Sequence, residues 1–263
     1  MELQNKNVWI TGASSGIGEA LAIACAAEGA RLLLSARRVD KLEGVRERCE
    51  AAGASARVLP LDLEDTASLP DVARRAAQLD GPIDVLINNA GIGQSSLALD
   101  TDVSVSERIM RINYLGTVAL SKAVLPTMLE RRQGQIVVVT SLLGKFGVKR
   151  RSSYSASKHA LHGYFDSLRC ELLHSNVGVT LVCPGWVDTE LEARALRGDG
   201  SLRGPTNTGK DGLSPEAFAG PALKAIRLGK PEVYIGGPEV RGVWAKRFAP
   251  GLLNRVLART AID

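Results

Sequence analysis

Tyr154 and Lys158 stand four residues apart in the run Tyr154-Ser155-Ala156-Ser157-Lys158, with Ser141 thirteen residues upstream. Four residues is about one helical turn, so the phenol and the ammonium share a face if the segment is helical. A free phenol titrates near ~10 and exchanges protons poorly at neutral pH. An ammonium beside it favours the phenolate, and a tuned tyrosine can act as general acid or base. The Ser141 hydroxyl could hold the oxygen of a reacting carbonyl or alcohol. Taken alone, the pair is also what a solvated helix face looks like, so other parts of the chain must decide.

The deciding pattern lies near the start. Val8-Trp9-Ile10 is a short apolar run that reads as a buried strand. It flows into Thr11-Gly12-Ala13-Ser14-Ser15-Gly16-Ile17-Gly18, and an alanine-rich helical pattern follows from Ile17 to about Glu28, where Gly29 stops it. Strand, glycine turn and helix are the context in which a dinucleotide is bound. Glycines let the backbone approach a pyrophosphate, and the free amides at the helix start meet the phosphates. The spacing is Gly12-x-x-x-Gly16-x-Gly18, wider between the first two glycines than in G-x-G-x-x-G. A glycine-rich turn without a ligand is the alternative.

Strand-like runs recur at Val8–Thr11, Arg31–Ser35, Arg57–Pro60, Val85–Asn88, Gln135–Thr140, Val179–Cys183 and near Glu232–Ile235, with helical patterns between them. That alternation predicts an α/β fold: a doubly wound, seven-stranded parallel sheet with helices on both faces. Ligands then collect beyond the carboxyl ends of the strands. The glycine turn, Asn88–Gly91, Ser141 and Pro184-Gly185 all fall at or just after predicted strand ends, so the motifs converge on one edge of the sheet.

In this order and spacing the motifs resemble those of the short-chain dehydrogenases/reductases. The match comprises Thr11 to Gly18, Asp62, Asn88-Asn89-Ala90-Gly91, the set Asn113, Ser141, Tyr154 and Lys158, and Pro184-Gly185 with Thr189. It covers about residues 5 to 240. Leu34-Ser35-Ala36-Arg37-Arg38, Asn113-Tyr114-Leu115-Gly116-Thr117-Val118 and Ala156-Ser157-Lys158-His159-Ala160-Leu161 look like the dehydrogenase/reductase member 7 and 11β-hydroxysteroid dehydrogenase branch. The resemblance implies hydride transfer between a nicotinamide cofactor and a carbonyl or secondary alcohol, the cofactor carrying the hydride. It implies that Ser141 holds the carbonyl oxygen and Tyr154 passes the proton. Lys158 would lower the Tyr154 pKa and bond the nicotinamide ribose, and Asn113 would place a relaying water. A purely structural Asn113, bonded to backbone, is compatible with that role. Asp62 and Leu63 would flank the adenine. Asn89, Ala90 and Gly91 would lie along the ribose and pyrophosphate. Val187 and Thr189, just past Pro184-Gly185, would meet the nicotinamide carboxamide.

The residues also bear on which nicotinamide cofactor is used. An NAD site commonly carries an acid after the second strand for the ribose 2′-hydroxyl. Here the sequence reads Ser35-Ala36-Arg37-Arg38, with no acid. Arginine binds a phosphate through two parallel hydrogen bonds. We therefore expect NADP, with Arg37 as main 2′-phosphate ligand, Ser35 as a further donor and Arg38 stacked on the adenine. The cofactor cradle would comprise Gly12, Ser14, Ser15, Gly16, Ile17 and Gly18. Gln94, Ser95, Leu143, Phe146 and Trp186 are expected pocket walls; their mixed character suits a hydrophobic ketone or alcohol. Lys145 to Arg151 is a basic run that reads as a solvated face, with attraction of an anionic substrate as the sharper alternative.

The chain's 263 residues, 45% of them hydrophobic, suffice for one large α/β domain with a substantial core. Between Glu190 and Leu213 the β-α pattern gives way to a glycine-rich stretch, expected to cover the substrate. Ser214-Pro215 should then start a helix. Cys25, Cys49, Cys170 and Cys183 form no C-x-x-C pair and are expected to be reduced thiols. His159, His162 and His174 are too scattered in sequence for a triad or a metal site. The start of the chain lacks an apolar signal segment, and no apolar run reaches the roughly 20 residues that span a bilayer. A cytoplasmic protein is expected.

Net charge is +5, concentrated after Val240, where Arg241, Lys246, Arg247, Arg255 and Arg259 face the single acid Asp263. Apolar residues are interleaved there, and Pro250-Gly251 should break any helix. This C-terminal extension either packs with its basic face in water or makes a peripheral membrane contact. Aromatic residues are only 4% of the chain and no aromatic platform is evident among the basic residues, which argues against nucleic acid. Long helical stretches near Ser106–Arg132 and Ser153–Asn176 resemble the family's dimer helices, so a homodimer or homotetramer is expected. A catalytically silent cofactor sensor or scaffold on the same fold is the rival reading; a scaffold has no need of a tuned tyrosine.

Overall fold

The structure is a computed structural model describing residues 1–205 and 212–259. Seven parallel strands form one sheet: β1 (Asn7–Thr11), β2 (Arg31–Ser35), β3 (Ala56–Val58), β4 (Val85–Asn88), β5 (Gly134–Val139), β6 (Val177–Pro184) and β7 (Glu232–Ile235). Their order is β3-β2-β1-β4-β5-β6-β7. The central strands are near-continuous apolar runs, because both faces of a parallel sheet are covered by helices. Val8, Trp9, Ile10, Leu32, Leu33, Leu34, Val85, Leu86 and Ile87 are all buried. Successive strand residues point to opposite faces, so Val8, Ile10, Leu32 and Leu34 enter one core while Trp9, Leu33 and Leu86 enter the other.

On the first face lie α1 (Gly16–Ala27), α2 (Val39–Ala51) and α7 (Pro215–Arg227). On the second lie α3 (Leu69–Asp80), α5 (Thr117–Arg131) and α6 (Ser152–Glu171), while α4 (Val103–Met110) packs Val105 and Ile109 with Leu196 in a small separate cluster. Helices α4 and α5 are joined through a wider, π-type turn at Arg111–Gly116 that contains Asn113. Such turns bulge the backbone and recur at functional sites. Ser214 caps α7 by accepting from the Ala217 amide at 3.1 Å, with Pro215 at the first helical position. The chain closes with α8 (Arg241–Phe248) and α9 (Pro250–Arg259), broken before Pro250 as the sequence predicts. Cys25, Cys49 and Cys183 are buried free thiols, and Cys170 is an exposed one.

Because β1 and β4 are neighbours while their connections run to opposite sides, a crevice opens beyond their carboxyl ends. The segment after β6 folds over that crevice. It is pinned by bridges between Val187 and Leu213, Gln94 and Leu196, and Leu196 and Leu202. Thr206, Asn207, Thr208 and Gly209 of the predicted covering stretch fall outside the described residues.

Candidate functional site: a nucleotide cleft ending in a buried tyrosine

Ser141 lies two residues past the end of β5. Its hydroxyl accepts from the Leu143 amide at 3.1 Å, capping a short 3-10 turn at Leu142–Gly144. Tyr154 and Lys158 lie on α6, one turn apart, both buried. The Lys158 Nζ donates to the Val139 carbonyl at 3.0 Å and sits 5.7 Å from the centre of the Tyr154 ring. Burial pushes the Tyr154 phenol up to about 12, and the hydrogen bond with Ser141 pulls against it. Burial pushes the Lys158 ammonium down to about 8. The expected lowering of the phenol by Lys158 is therefore not realised here: the ammonium is over the ring and bonded to backbone, and desolvation outweighs it.

Asn113 braces this cluster from behind. Its Oδ1 accepts from the Ile92 amide at 2.8 Å, while its Nδ2 donates to the Ile92 carbonyl at 2.9 Å and to Ser157 Oγ at 3.0 Å. Both amide hydrogens are thus committed. A side chain added at Gly91 would meet Asn113 Oδ1 at 3.1 Å and Lys158 Nζ at 3.7 Å, which keeps the backbone close to the reacting end.

From this cluster a cleft of about 540 Å³ runs to the glycine turn. Its lining includes Ser14, Ser15, Gly16, Ile17, Arg37, Arg38, Asp62, Leu63, Ala90, Gly91, Val187, Thr189, Ser141, Tyr154 and Lys158. Gly12 and Gly16 have φ of 65° and 59°, which other residues adopt only with strain. A Cβ at Gly12 would lie 2.8 Å from Ala90 Cα, and one at Gly16 would lie 3.0 Å from Thr189 Cγ2. Gly18 has a different duty: a Cβ there would overlap the Gly12 carbonyl oxygen, so this glycine lets α1 close on the turn rather than lining the cleft. Thr11 Oγ1 accepts from the amides of Asn89 and Ala90, each at 3.1 Å. The Asn89 side chain donates back to the Thr11 and Gly12 carbonyls at 3.1 and 3.3 Å. Ser15, at the N-cap of α1, makes no side-chain cap, so the first-turn amides face the cleft as an anion site would require. These residues fit the pyrophosphate of a dinucleotide.

The two arginines after β2 divide differently from expectation. Arg38 turns inward, donating to Ser14 Oγ at 3.1 Å and Ser15 Oγ at 2.9 Å and pairing with Glu190 at 3.5 Å. Arg37 is exposed at the rim of the cleft. Ser35 is not available as a donor: its hydroxyl donates to the Leu59 carbonyl at 2.6 Å and accepts from Trp9 Nε1 at 2.8 Å. It alternates into the sheet interior rather than toward solvent.

The expected pocket walls are also corrected. Gln94 is fully buried. Its Oε1 accepts from the Ser153 amide at 3.0 Å, and its Nε2 donates to Ser96 and Thr101. It braces the start of α6 instead of facing a ligand. Ser95 is buried beside it, and Phe146 is buried against α8 at Gly242. Leu143 packs on the second core. Trp186 lies against Gly212, where a Cβ would sit 3.0 Å from the indole Nε1, so it holds the end of the covering segment. None of these five lines the cleft.

Leu191, Arg194, Leu196 and Leu202, all within the stretch expected to cover the substrate, close over the cleft. Other contributors were not singled out from sequence. Glu192 ties the covering segment to the start of α6 through buried Arg151 and braces the segment internally through Arg203 at 3.1 Å. Glu239 explains Gly185: its Oε1 accepts from the Trp186 and Gly237 amides at 3.0 Å each, and any side chain at Gly185 would overlap it. No local pattern marks such partners, which are far apart in sequence.

One histidine proves less isolated than its sequence position suggests. His162, Cys183 and Glu232 bring ligand-type atoms within 4.8 Å of one another. Lys145 Nζ sits 2.6 Å from Glu232 Oε1, and the Tyr234 hydroxyl donates to Glu232 Oε2 at 2.8 Å. The two His162 nitrogens face different partners: Nδ1 is 3.3 Å from Glu232, and Nε2 is 3.9 Å from Cys183. With Lys145 already supplying the positive charge, the group reads as a buried polar brace under α6. Burial, then Lys145, push His162 down to about 4.

Comparison with known proteins agrees with this geometry. The family profile described as short chain dehydrogenase matches residues 6–199. A dehydrogenase/reductase SDR family protein 7-like from Anopheles gambiae is 41% identical over 98% of this chain and 84% of its own length. A short chain dehydrogenase/reductase from Burkholderia phymatum, solved in complex with NAD, superposes with a TM-score of 0.85 at 22% identity, over 100% of this chain and 98% of that one. An alcohol dehydrogenase from Thermococcus sibiricus, complexed with 5-hydroxy-NADP, superposes with a TM-score of 0.78 at 26% identity, over 89% and 97%. The chain belongs to the short-chain dehydrogenase/reductase family, in the dehydrogenase/reductase member 7 branch, and is an oxidoreductase of that family.

Proposed function

We propose that this oxidoreductase uses NADP(H) and interconverts a hydrophobic ketone and its secondary alcohol. The carrying observation is one continuous cleft with Arg37 and Arg38 at one end, no acid from Ser35 to Arg38, and the Ser141–Tyr154–Lys158 cluster at the other. The bound nicotinamide supplies or accepts the hydride. In reduction Ser141 holds the carbonyl oxygen, and Tyr154 gives that oxygen a proton as the carbon is reduced. A phenol kept protonated by burial suits the donor role. Lys158, already inclined to release its proton, reprotonates Tyr154 from behind. In oxidation the same groups run in reverse. Asn113 holds the segment after β4, at Ile92, and α6 in register; with both amide hydrogens committed, any water it places is held by its main chain. Arg37 meets the 2′-phosphate. Arg38, which occupies the Ser14–Ser15 edge, exchanges those hydroxyls for cofactor contacts. Residues 190–205 of the covering segment cover the substrate, and the exposed apolar residues Val103 on α4, Leu115 in the π-type turn and Leu129 on α5 favour a homo-oligomer.

The test is a fluorescence titration with NADPH and with NADH, followed by a ketone and alcohol screen with Tyr154→Phe as control. Tighter NADPH binding, and turnover lowered about 10²- to 10⁴-fold by Tyr154→Phe with cofactor binding retained, is the expected result. Tighter NADH binding overturns the cofactor assignment. Full turnover by Tyr154→Phe overturns the proton-transfer role.

A further inference from the structure

Helices α8 and α9 seat one face on the second core, through buried Leu253 and partly buried Val243, Ala245 and Leu257. Their outward face is unusual. Trp244 is 59% exposed, Phe248 77% and Leu252 62%. The Trp244 and Phe248 rings stack nearly parallel, with centroids 6.4 Å apart. Around this ridge lie Arg241, Lys246, Arg247, Arg255 and Arg259, all exposed. Among the described residues none of these five makes an ion pair. No acid occurs from Arg241 to Arg259. Lys149 donates to the Ala258 carbonyl, bringing another cation to the end of α9.

We propose that this face docks on an anionic lipid bilayer. Exposed aromatic and aliphatic side chains flanked by unpaired arginines and lysines are what an interfacial helix presents: rings enter the headgroup boundary while cations meet anionic lipids. A second copy of this chain fits poorly, since a two-fold contact sets the same patch against itself and would oppose cations with no acid to answer them. No helix among the described residues is long and apolar enough to cross a membrane, so this contact lies in the plane of the surface.

The experiment is co-sedimentation of the full chain with phosphatidylserine-containing vesicles and with phosphatidylcholine vesicles, at low and high salt. Binding to the first alone, weakened by salt, is expected. Arg247→Gln/Arg255→Gln should weaken it about 30-fold, from the attraction of each basic residue to the surface. Trp244→Ser/Phe248→Ser should abolish it while leaving NADPH binding and the far-ultraviolet circular dichroism unchanged. Equal binding to both vesicle types, or none to either, overturns the proposal. So does a drop in oligomeric state in Trp244→Ser/Phe248→Ser without vesicle binding by the parent, which assigns the face to a second copy. Tighter binding to single-stranded DNA than to vesicles overturns it as well.

Discussion

Lys158 is a buried cation that the fold would be more stable without. Its ammonium titrates near about 8 instead of 10.5 because burial removes water and only the Val139 carbonyl replaces it. That gap is worth roughly 3 kcal/mol, at ~1.4 kcal/mol per pH unit. The sign is fixed by proton uptake: between pH 8 and 10.5 the unfolded chain holds this proton and the folded chain does not. The penalty is thus complete below pH 8 and relieved as pH rises to 10.5. Lys158→Met keeps the length of the side chain and removes the charge. It also leaves the buried Val139 carbonyl unpaired, at a cost of about 1 kcal/mol. The net expectation is a gain of about 2 kcal/mol at neutral pH, with loss of turnover. Urea unfolding of parent and variant at equal protein concentration, followed by tryptophan fluorescence from pH 7 to pH 10, measures it. Other groups titrate in this range, so the informative quantity is the difference between the two proteins. That difference should shrink above pH 8 and change sign near pH 10. A variant less stable than the parent at pH 7, or a difference independent of pH, refutes the reasoning.

Three further outcomes follow from the same geometry. Gly18→Ala should destabilise the protein by about 1–3 kcal/mol through overpacking against the Gly12 carbonyl and weaken dinucleotide binding, as thermal shift with and without cofactor would show. Arg37→Ala should cost NADPH about 10- to 100-fold in affinity, the range of a charged hydrogen bond, while NADH binding measured by the same titration stays put. His162 titrates near about 4 when folded against 6.5 when free, so the unfolded chain binds the extra proton in that window and stability falls as pH drops through it. His162→Gln should flatten this acid limb in unfolding curves collected from pH 7 to pH 4; an unchanged limb would show that other groups cause it.

The strands, their parallel pairing and the edge where ligands gather were legible in the chain because the signals are local. A buried parallel strand must be apolar throughout, as Val85–Ile87 is. A turn that clasps phosphate needs glycine at positive φ, as Gly12 and Gly16 provide. Tyr154 and Lys158 share a helix face by spacing alone. What tertiary structure decided is which side chains remain available once their neighbours arrive. Ser35 looked like a phosphate donor until strand alternation buried it between Trp9 and Leu59. Gln94 looked like a pocket wall until its amide was taken by the start of α6. Lys158 was expected to depress the Tyr154 phenol, but burial acts on both groups and separates them the other way. His162 gained Cys183 and Glu232 as neighbours across distances that sequence spacing does not encode. Local backbone preference is written residue by residue. Desolvation and hydrogen-bond competition belong to the packed interior and exist only when distant segments meet.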